Sequence, residues 1–390
     1  MGVNELSFNQ LSTVLKDITD QATGSKTQIS TNTASFVSVA NTALLTGYDN
    51  ILESISQVLS KTIFSVRPYS AKFRGLEVSP VRWGNHIRKL TALDLPFTDD
   101  DRMSLVDGES IDQYIVTKPS VLQTNYYGEN MFQKSLTIFR DQLDMAFSGP
   151  DEFGRFISMI MSNASDMIEQ AKEGVRRATV ANLIGGAILG NPTGGVIHLV
   201  SEYNTYAGTE LTSETVQQPA NWPGFVRWMV GYLGYLIDKM GERTSLYQIN
   251  IAGKVVNRHT PKERMKVYFN SMYTNQMEAG VFSQTFHDEY LKKVDYERVT
   301  YWQAIANNTT GLYLDASYID SSGEVAHDTV RKDNIFGVIF DEEAAMVCPA
   351  NEWSARTSFN ARGGYSNIFW HFTQRYLNDF TEKCVVLLLD

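Results

Sequence analysis

The sequence has few cysteines and no long apolar run. Only Cys348 and Cys384 are present among 390 residues, which excludes a disulfide-rich framework and a four-cysteine zinc site. The longest apolar run, Cys384 to Leu389, is far shorter than the roughly 20 residues that span a bilayer. The amino terminus also lacks the basic start and apolar core of a secretory signal. We therefore expect folding in a reducing cytoplasm, with no membrane contact.

Motifs for catalysis or cofactor binding are missing as well. The glycine-rich stretch from Gly185 to Gly195 has no lysine and follows a predicted helix, so it indicates a helix end and a turn instead of a phosphate-binding loop. The six histidines are widely spaced and form no helical metal pair. Asp341 and Glu343 are the paired carboxylates that a glycoside hydrolase would need, but a solvated turn is the favoured interpretation. We expect no cofactor, no metal and no catalytic residue.

The charge balance restricts the kinds of partner. A net charge of −10 argues against a dedicated nucleic-acid binder, which normally carries a basic stripe. The same charge does not argue against a container for DNA, because strong phosphate binding would hinder movement of the DNA. An apolar content of 43% is sufficient for a large core.

Apolar periodicity predicts two amino-terminal helices and one long helix. The first stripe runs from Phe8 to Ala22 and the second from Phe36 to Val58, with a polar tether between them. The long helix begins after Pro150, and we expect it to end at Gly185 and Gly186. A helix of this length with an apolar stripe is typical of a structural strut.

The sign of the charge changes within residues 61–140. Seven basic residues stand in 61–90, whereas acidic residues dominate in 94–112. The segments 76–90 and 121–139 are expected to be extended, so together they predict a long two-stranded ribbon with an acidic tip. An isolated ribbon is only marginally stable in water, and it therefore needs a surface on which to lie.

The two charged halves suggest a contact between copies of the chain. We expect the acidic tip to dock on basic residues of an adjacent subunit, although a solvated acidic loop is the simpler alternative. The acidic candidates are Asp99, Asp100, Asp101, Asp107 and Glu109. The basic candidates are Arg74, Arg82, Arg88 and Lys89. Each exposed pair would contribute only ~0.2–1 kcal/mol, which is weak enough to let misplaced subunits leave.

Alternating helix and strand signals in residues 190–335 predict a compact α+β unit. A helix is expected to begin at Trp222 and another at Pro261. Strands are expected at 246–252 and 311–319.

The carboxyl-terminal stretch is apolar and aromatic almost to its end. A buried strand is predicted at 335–340, a loop at 351–364, a long aromatic run at 365–376 and a closing strand at 384–389. Arg356 and Arg362 lie in the predicted loop. We interpret these segments as strands that return to the long helix.

Three stretches carry a resemblance to a known family. They are 6–10, 36–41 and the closing segment from Ile335 through the Arg362-Gly363 turn to Leu389. The sequence resembles tailed-phage major capsid proteins of the Hong Kong 97-type fold, particularly those of small short-tailed phages of the picovirus kind.

The resemblance implies an α+β capsid fold in five parts. These are an amino-terminal helical arm at 1–65, an extended loop at 66–140, a peripheral domain with its spine helix at 141–195, an axial domain at 196–334, and strands returning to the peripheral domain at 335–390.

The resemblance also implies a function. The chain would assemble with itself into pentamers and hexamers of an icosahedral head around double-stranded DNA, without enzymatic activity. Scaffolding, portal, and head fibre or decoration proteins would be its other partners in the virion. An encapsulin-like cellular compartment is one alternative, and a carbohydrate-active hydrolase using Asp341 or Glu343 is another.

Overall fold

The protein is described by a computed structural model that combines helices with several small sheets. The described residues are 8–26, 33–47, 49–51, 53–54, 72–79, 86–95, 99–116, 118, 120–251, 256–281, 296–303 and 308–390. The helices are α1 Phe8–Thr23, α2 Thr33–Leu45, α3 Arg140–Ala146, α4 Pro150–Gly190, α5 Leu199–Ala207, α6 Trp222–Gly241 and α7 Ser271–Val281. The strands are β1 Ile87–Ala92, β2 Val121–Tyr126, β3 Glu129–Phe139, β4 Val196–His198, β5 Met265–Asn270, β6 Glu297–Val299, β7 Leu312–Ile319, β8 Val325–Lys332, β9 Ile335–Asp341, β10 Ala345–Arg356, β11 Tyr365–Asn378 and β12 Cys384–Leu388.

A five-stranded sheet in the order β4-β12-β9-β5-β6 has a separate core on each face. Val386 and Val338 belong to the core shared with α4 and the β7–β8 hairpin. Leu387 and Ile339 belong to the core shared with α5, α6 and α7. Successive strand residues point to opposite faces, so a continuous apolar run is needed where both faces are covered.

A second sheet, in the order β10-β11-β3, lies against the amino-terminal helices and α4. Ile368 and Trp370 of β11 and Ile138 of β3 join this core, as does Phe153 of α4. The expected first amino-terminal helix is confirmed as α1. The second expected helix is shorter than predicted, because α2 ends at Leu45 and Gly47 follows with a φ of 97°. Residues 55–58 of that prediction lie outside the described part of the chain.

The long helix is longer than the sequence predicts. α4 has 41 residues, or about 60 Å, and continues through Gly185 and Gly186 to Gly190. The expected end at Gly185 and Gly186 is therefore wrong. A Cβ at Gly186 would lie 2.3 Å from Cζ of Phe380, so the glycine permits close packing inside the helix instead of ending it.

The ribbon is shorter than expected. Among the described residues, the ribbon pairing is limited to β1 and β2, from Ile87 opposite Tyr126 to Ala92 opposite Val121. β3 leaves the ribbon and pairs along its whole length with β11. The turn between β2 and β3 needs Gly128, because a Cβ there would lie 2.5 Å from the backbone oxygen of Tyr376. The apolar inner face of β3 gains more by covering a core than by extending an isolated ribbon.

Two predictions for the middle of the chain are wrong. Residues 246–251 form no strand, and Tyr247 has a φ of 67° that interrupts extended backbone. Pro261 precedes a single 3₁₀ turn, Lys262–Arg264, and then β5. The last four residues of β5 are all buried, so core packing favours a strand there.

The carboxyl-terminal segment is divided between the two larger sheets. β9 and β12 pair with β5 and β4 in the five-stranded sheet, whereas β10 and β11 pair in the three-stranded sheet. β9 and β12 also share a core with α4, and the grouping of 335–390 with the peripheral domain stays a prediction. The predicted loop at 351–364 is shorter than expected, because β10 continues to Arg356. The strands expected at 311–319, 335–340 and 384–389 are confirmed as β7, β9 and β12.

Candidate assembly interface

The base of the ribbon lies against the body of the protein. In β1, Ile87, Lys89 and Thr91 are half-buried, and the residues between them are exposed. Because side chains alternate along a strand, one face of β1 is directed at the body and the other at solvent. The contacts of the half-buried face determine how the ribbon is held.

Lys89 is the centre of an ion-pair cluster. Its Nζ lies 2.7 Å from Oδ2 of Asp379 and 2.5 Å from Oε1 of Glu382. A third carboxylate, that of Glu343, lies 2.9 Å away. Only 17% of the Lys89 side chain is exposed, so solvent screens these attractions weakly. They hold β1 on the turns that precede β10 and β12.

Two arginines complete this cluster. Nη1 of Arg258 lies 2.7 Å from Oε1 of Glu382, and its Nη2 donates to Oγ1 of Thr91 over 3.3 Å. Nη2 of Arg264 lies 2.5 Å from Oε1 of Glu343. We call the set the anchor cluster: Lys89, Arg258, Arg264, Glu343, Asp379 and Glu382.

A second contact restrains the chain just beyond β1. Asp94 forms an ion pair with Arg243, and Nδ2 of Asn257 donates to Oδ2 of Asp94 over 3.0 Å. Both partners belong to the segment that connects α6 to β5. The base of the ribbon is therefore fixed to the body at two successive places.

The pKa values within the anchor cluster follow from burial and charge. Burial opposes the charge of Lys89, but Asp379 and Glu382 outweigh it and raise the pKa of Lys89 above its usual value. Burial raises the pKa of Glu382 to about 7, even though Lys89 and Arg258 favour its charged form. Burial also opposes ionisation of Glu343, but hydrogen bonds from Lys89 and Arg264 prevail and lower its pKa to about 2.

Glu343 gives a pH-dependent prediction. Its folded pKa of about 2 lies below the ordinary value of 4.5, so its contribution to stability is present above about pH 4.5 and is lost as the pH falls toward 2. Glu343→Gln should therefore be less stable than wild type at pH 6, and the difference should shrink between pH 4.5 and 2. Urea denaturation of unassembled subunits across this range measures it. A difference independent of pH would mean that the carboxylate charge has no role.

The tip of the ribbon has a different character. Every residue from Asp99 to Val116 is exposed. The large apolar side chains among them are Met103, Leu105, Val106, Ile111, Tyr114, Ile115 and Val116, exposed by 42–90%. So many exposed large apolar side chains within one segment are uncommon on a protein that remains a monomer.

The acidic residues predicted to dock all lie in this tip. Asp99, Asp100, Asp101, Asp107 and Glu109 are exposed. Asp100 accepts hydrogen bonds from the side chain and the backbone nitrogen of Arg102, which lower the pKa of Asp100. The other four have no resolved partner inside the tip.

The predicted basic partners are distributed differently. Lys89 is engaged in the anchor cluster, and Arg74 lies 3.4 Å from Glu169 of α4. Arg88 is exposed on the opposite face of β1. Arg82 lies outside the described residues. Docking of the acidic tip on these residues stays a prediction, with Lys89 already occupied by carboxylates of its own chain.

The carboxylates considered for hydrolysis are also occupied. Glu343 pairs with Lys89 and Arg264, and its lowered pKa opposes the protonated form that a general acid requires. Asp341 is buried and accepts the backbone N–H of Glu343 over 2.9 Å. The geometry is that of a structural ion-pair network.

The described part of the chain offers neither a metal site nor a membrane span. No group of histidine, cysteine and acidic residues there could hold a metal ion. No helix in that part is both long and apolar enough to cross a membrane. Cys348 and Cys384 are buried and free.

Sequence reasoning missed most of the anchor cluster. Arg258, Arg264, Asp379 and Glu382 were not predicted to be functional. A signal was present, since three charged residues, Asp379, Glu382 and Lys383, stand directly before the apolar strand β12. Which cation would neutralise these carboxylates could not be inferred, because Lys89 is 290 residues from Asp379 in the chain.

The chain was compared with known proteins. A chain in the structure of the head fiber and inner core protein gp22 of native bacteriophage P68 has a TM-score of 0.51 at 9% identity, covering 83% of this chain and 86% of that one. A chain of the capsid of Staphylococcus phage Andhra has a TM-score of 0.48 at 9% identity, covering 82% of this chain and 84% of that one. A chain of the capsid of Cyanophage P-SCSP1u has a TM-score of 0.46 at 10% identity, covering 83% of this chain and 90% of that one. A comparison with curated proteins finds no match.

The arrangement of a long helix, a ribbon and two sheets is the α+β Hong Kong 97-type capsid fold expected from the sequence. The family model described as "Phi29-like phage major capsid protein" matches residues 11–388, which is nearly the whole chain. The expected resemblance to tailed-phage major capsid proteins is confirmed, and the chain belongs to the Phi29-like phage major capsid protein family.

Proposed function

We propose that this capsid protein builds an icosahedral head of pentamers and hexamers by placing its ribbon tip on an adjacent copy. The observation that carries the proposal is the exposure of seven large apolar side chains between Met103 and Val116. Burying them would release water from apolar surface, at roughly 25 cal/mol per Å². Repeated around each ring, this contact would join neighbouring subunits.

The anchor cluster supports the same role. Lys89 and Asp94 hold the base of the ribbon to the body at two successive places, so the tip would project in a restricted range of directions. A tip held in advance loses less conformational freedom when it docks. The anchor cluster would thus favour productive contacts between subunits.

The acidic residues of the tip have a proposed role in selectivity. Each exposed ion pair would contribute only ~0.2–1 kcal/mol, and salt would weaken it further. Arg88 is the predicted basic partner that lies exposed on the ribbon. Charge would steer and correct the contact, while the apolar side chains would supply most of its affinity.

Further partners follow from the proposed role in the head. The enclosed double-stranded DNA would meet the shell through weak, non-specific contacts, in keeping with a net charge of −10. Scaffolding, portal, and head fibre or decoration proteins would bind the assembled shell, which would form in the host cytoplasm. The role is structural, and we propose no enzymatic activity.

Two matched tip variants test the role of the ribbon. Changing Tyr114, Ile115 and Val116 to serine should abolish assembly or slow it at least tenfold, because the apolar contact is lost. Changing Asp99, Asp100 and Asp101 to asparagine should leave assembly possible but reduce its dependence on salt. Light scattering and negative-stain microscopy of purified subunits give both readouts.

Folding of the variants needs a separate check. All six substituted residues are exposed, so the circular dichroism and unfolding midpoint of unassembled subunits should equal those of wild type. If the serine variant is folded and assembles at the wild-type rate, the tip does not join subunits.

A further inference from the structure

α6 is apolar or aromatic on most of its surface, although only one face is buried. That face carries eight apolar residues and packs with α5 and α7 on the five-stranded sheet. On the rest of the helix, Tyr235 is 56% exposed, and Trp228 and Tyr232 are half-buried. A helix that is apolar on all sides is normally covered on all sides. We call the uncovered part the outer face of α6: Arg227, Trp228, Gly231, Tyr232, Tyr235 and Asp238.

Two glycines of α6 have no packing role inside the single chain. A Cβ at Gly231 or at Gly234 would meet no atom within 4 Å. Glycine lowers the stability of a helix relative to alanine, so its presence here calls for a compensating contact. Packed helices lie about 8–10 Å apart, and small residues let their backbones approach closely. The glycines therefore favour a second helix as the cover of the outer face.

The charges of the outer face are complementary to themselves. Arg227 and Asp238 are exposed, one toward each end of the face, and about three helical turns separate them. They therefore lie on the same side of α6. If two copies of α6 lie antiparallel, Arg227 of each copy faces Asp238 of the other, and Gly231 faces Gly234. Within its own chain, Asp238 pairs only with the exposed Lys262 at 3.0 Å, a contact weak enough to exchange.

We propose that two unassembled copies of the chain pair through the outer face of α6, with the two helices antiparallel about a two-fold axis. The same surface of each copy takes part, so the contact is isologous and closes with two copies. A second copy fits this face because each of its charges meets the opposite charge. The pairing goes beyond the proposed function, since it would shield the aromatic surface of free subunits before shells form.

Exchange of the two charges tests the pairing. Below the concentration at which shells form, wild-type subunits should sediment as dimers in analytical ultracentrifugation. Arg227→Asp alone and Asp238→Arg alone should each weaken the dimer at least tenfold, because like charges then face each other. The double variant restores opposite charges and should dimerise as wild type does. Both residues are exposed, so the urea midpoints of all three variants should equal that of wild type.

A cysteine near the two-fold axis tests the antiparallel geometry. In this pairing Tyr232 lies almost opposite itself, so Tyr232→Cys should give a disulfide-linked dimer under mild oxidation. Lys239, which lies over the Tyr235 ring, provides the matched control. The two copies of Lys239→Cys would be about 20 Å apart along the helices and should not cross-link. Cys348 and Cys384 are buried, so background cross-linking should be low.

The outcomes separate this pairing from the proposed function. A monomeric wild type, a dimer that the double charge variant fails to restore, or equal cross-linking of Tyr232→Cys and Lys239→Cys would overturn the pairing. None of these results would affect shell assembly through the ribbon tip. The serine variant of Tyr114, Ile115 and Val116 should still dimerise, because its substitutions lie outside α6. Loss of the dimer in that variant would show that the tip joins the two copies, and would likewise overturn the pairing.

Discussion

Replacing Lys89 by methionine is expected to lower the free energy of unfolding by about 3–5 kcal/mol. Methionine preserves most of the length and packing of the side chain but removes its charge. Asp379 and Glu382, whose side chains are 1% and 6% exposed, would then face each other with Arg258 as their remaining cation. Urea denaturation of unassembled subunits at pH 7 measures the loss.

Arg88→Met is the matched control for this variant. Arg88 is the preceding residue of β1 but lies on its exposed face, so its replacement should change stability by no more than about 0.5 kcal/mol. Hydrogen exchange of the β1 and β2 amides should accelerate in Lys89→Met and remain unchanged in Arg88→Met. Equal stability of the two variants would show that the anchor cluster does not hold the ribbon.

Gly337→Ala is expected to destabilise the central sheet by about 3 kcal/mol, as overpacking in a rigid core does. Gly337 lies in β9, between Leu387 of β12 and Phe269 of β5. A Cβ there would lie 2.3 Å from Cδ1 of Phe269 and 2.7 Å from the backbone oxygen of Tyr268. Neighbouring strands restrain β9 on both sides, so the backbone cannot move aside. Soluble yield and the urea midpoint should both fall.

Gly231→Ala is expected to stabilise the protein, in contrast to Gly337→Ala. Gly231 lies within α6, and a Cβ there would meet no atom within 4 Å. Alanine has the higher helix preference, so this variant should be more stable by about 0.5–1 kcal/mol. A loss of stability in Gly231→Ala, or none in Gly337→Ala, would contradict the packing described for these two sites.

Regular apolar patterns in the sequence predicted many elements correctly. α1 and α6 follow from apolar residues at helical spacing, and β9 and β12 follow from continuous apolar runs. In each of them the local pattern and the tertiary packing favour the same structure. Pro261 shows the reverse case, because the local signal for a helix start was overridden by burial of β5.

The candidate interface was predicted only in part. The acidic residues of the tip were identified from their clustering, and the structure places them on an exposed segment. The apolar residues of the same segment were not predicted to form a contact, because exposure cannot be recognised from residue type alone. Lys89 was predicted to dock on another subunit, and nothing in the sequence indicated that it pairs with three carboxylates of its own chain.

The sequence by itself determined the class of the protein: an α+β chain with a long helix and a charged ribbon, similar to phage capsid proteins. These properties depend on composition and on contacts between residues close in the chain. The tertiary structure alone decided that β3 joins β11 instead of the ribbon, that Gly186 lies within a helix, and that Lys89 neutralises Asp379. Each of these depends on contacts between residues far apart in the chain, which form only when the core has closed and water has been excluded.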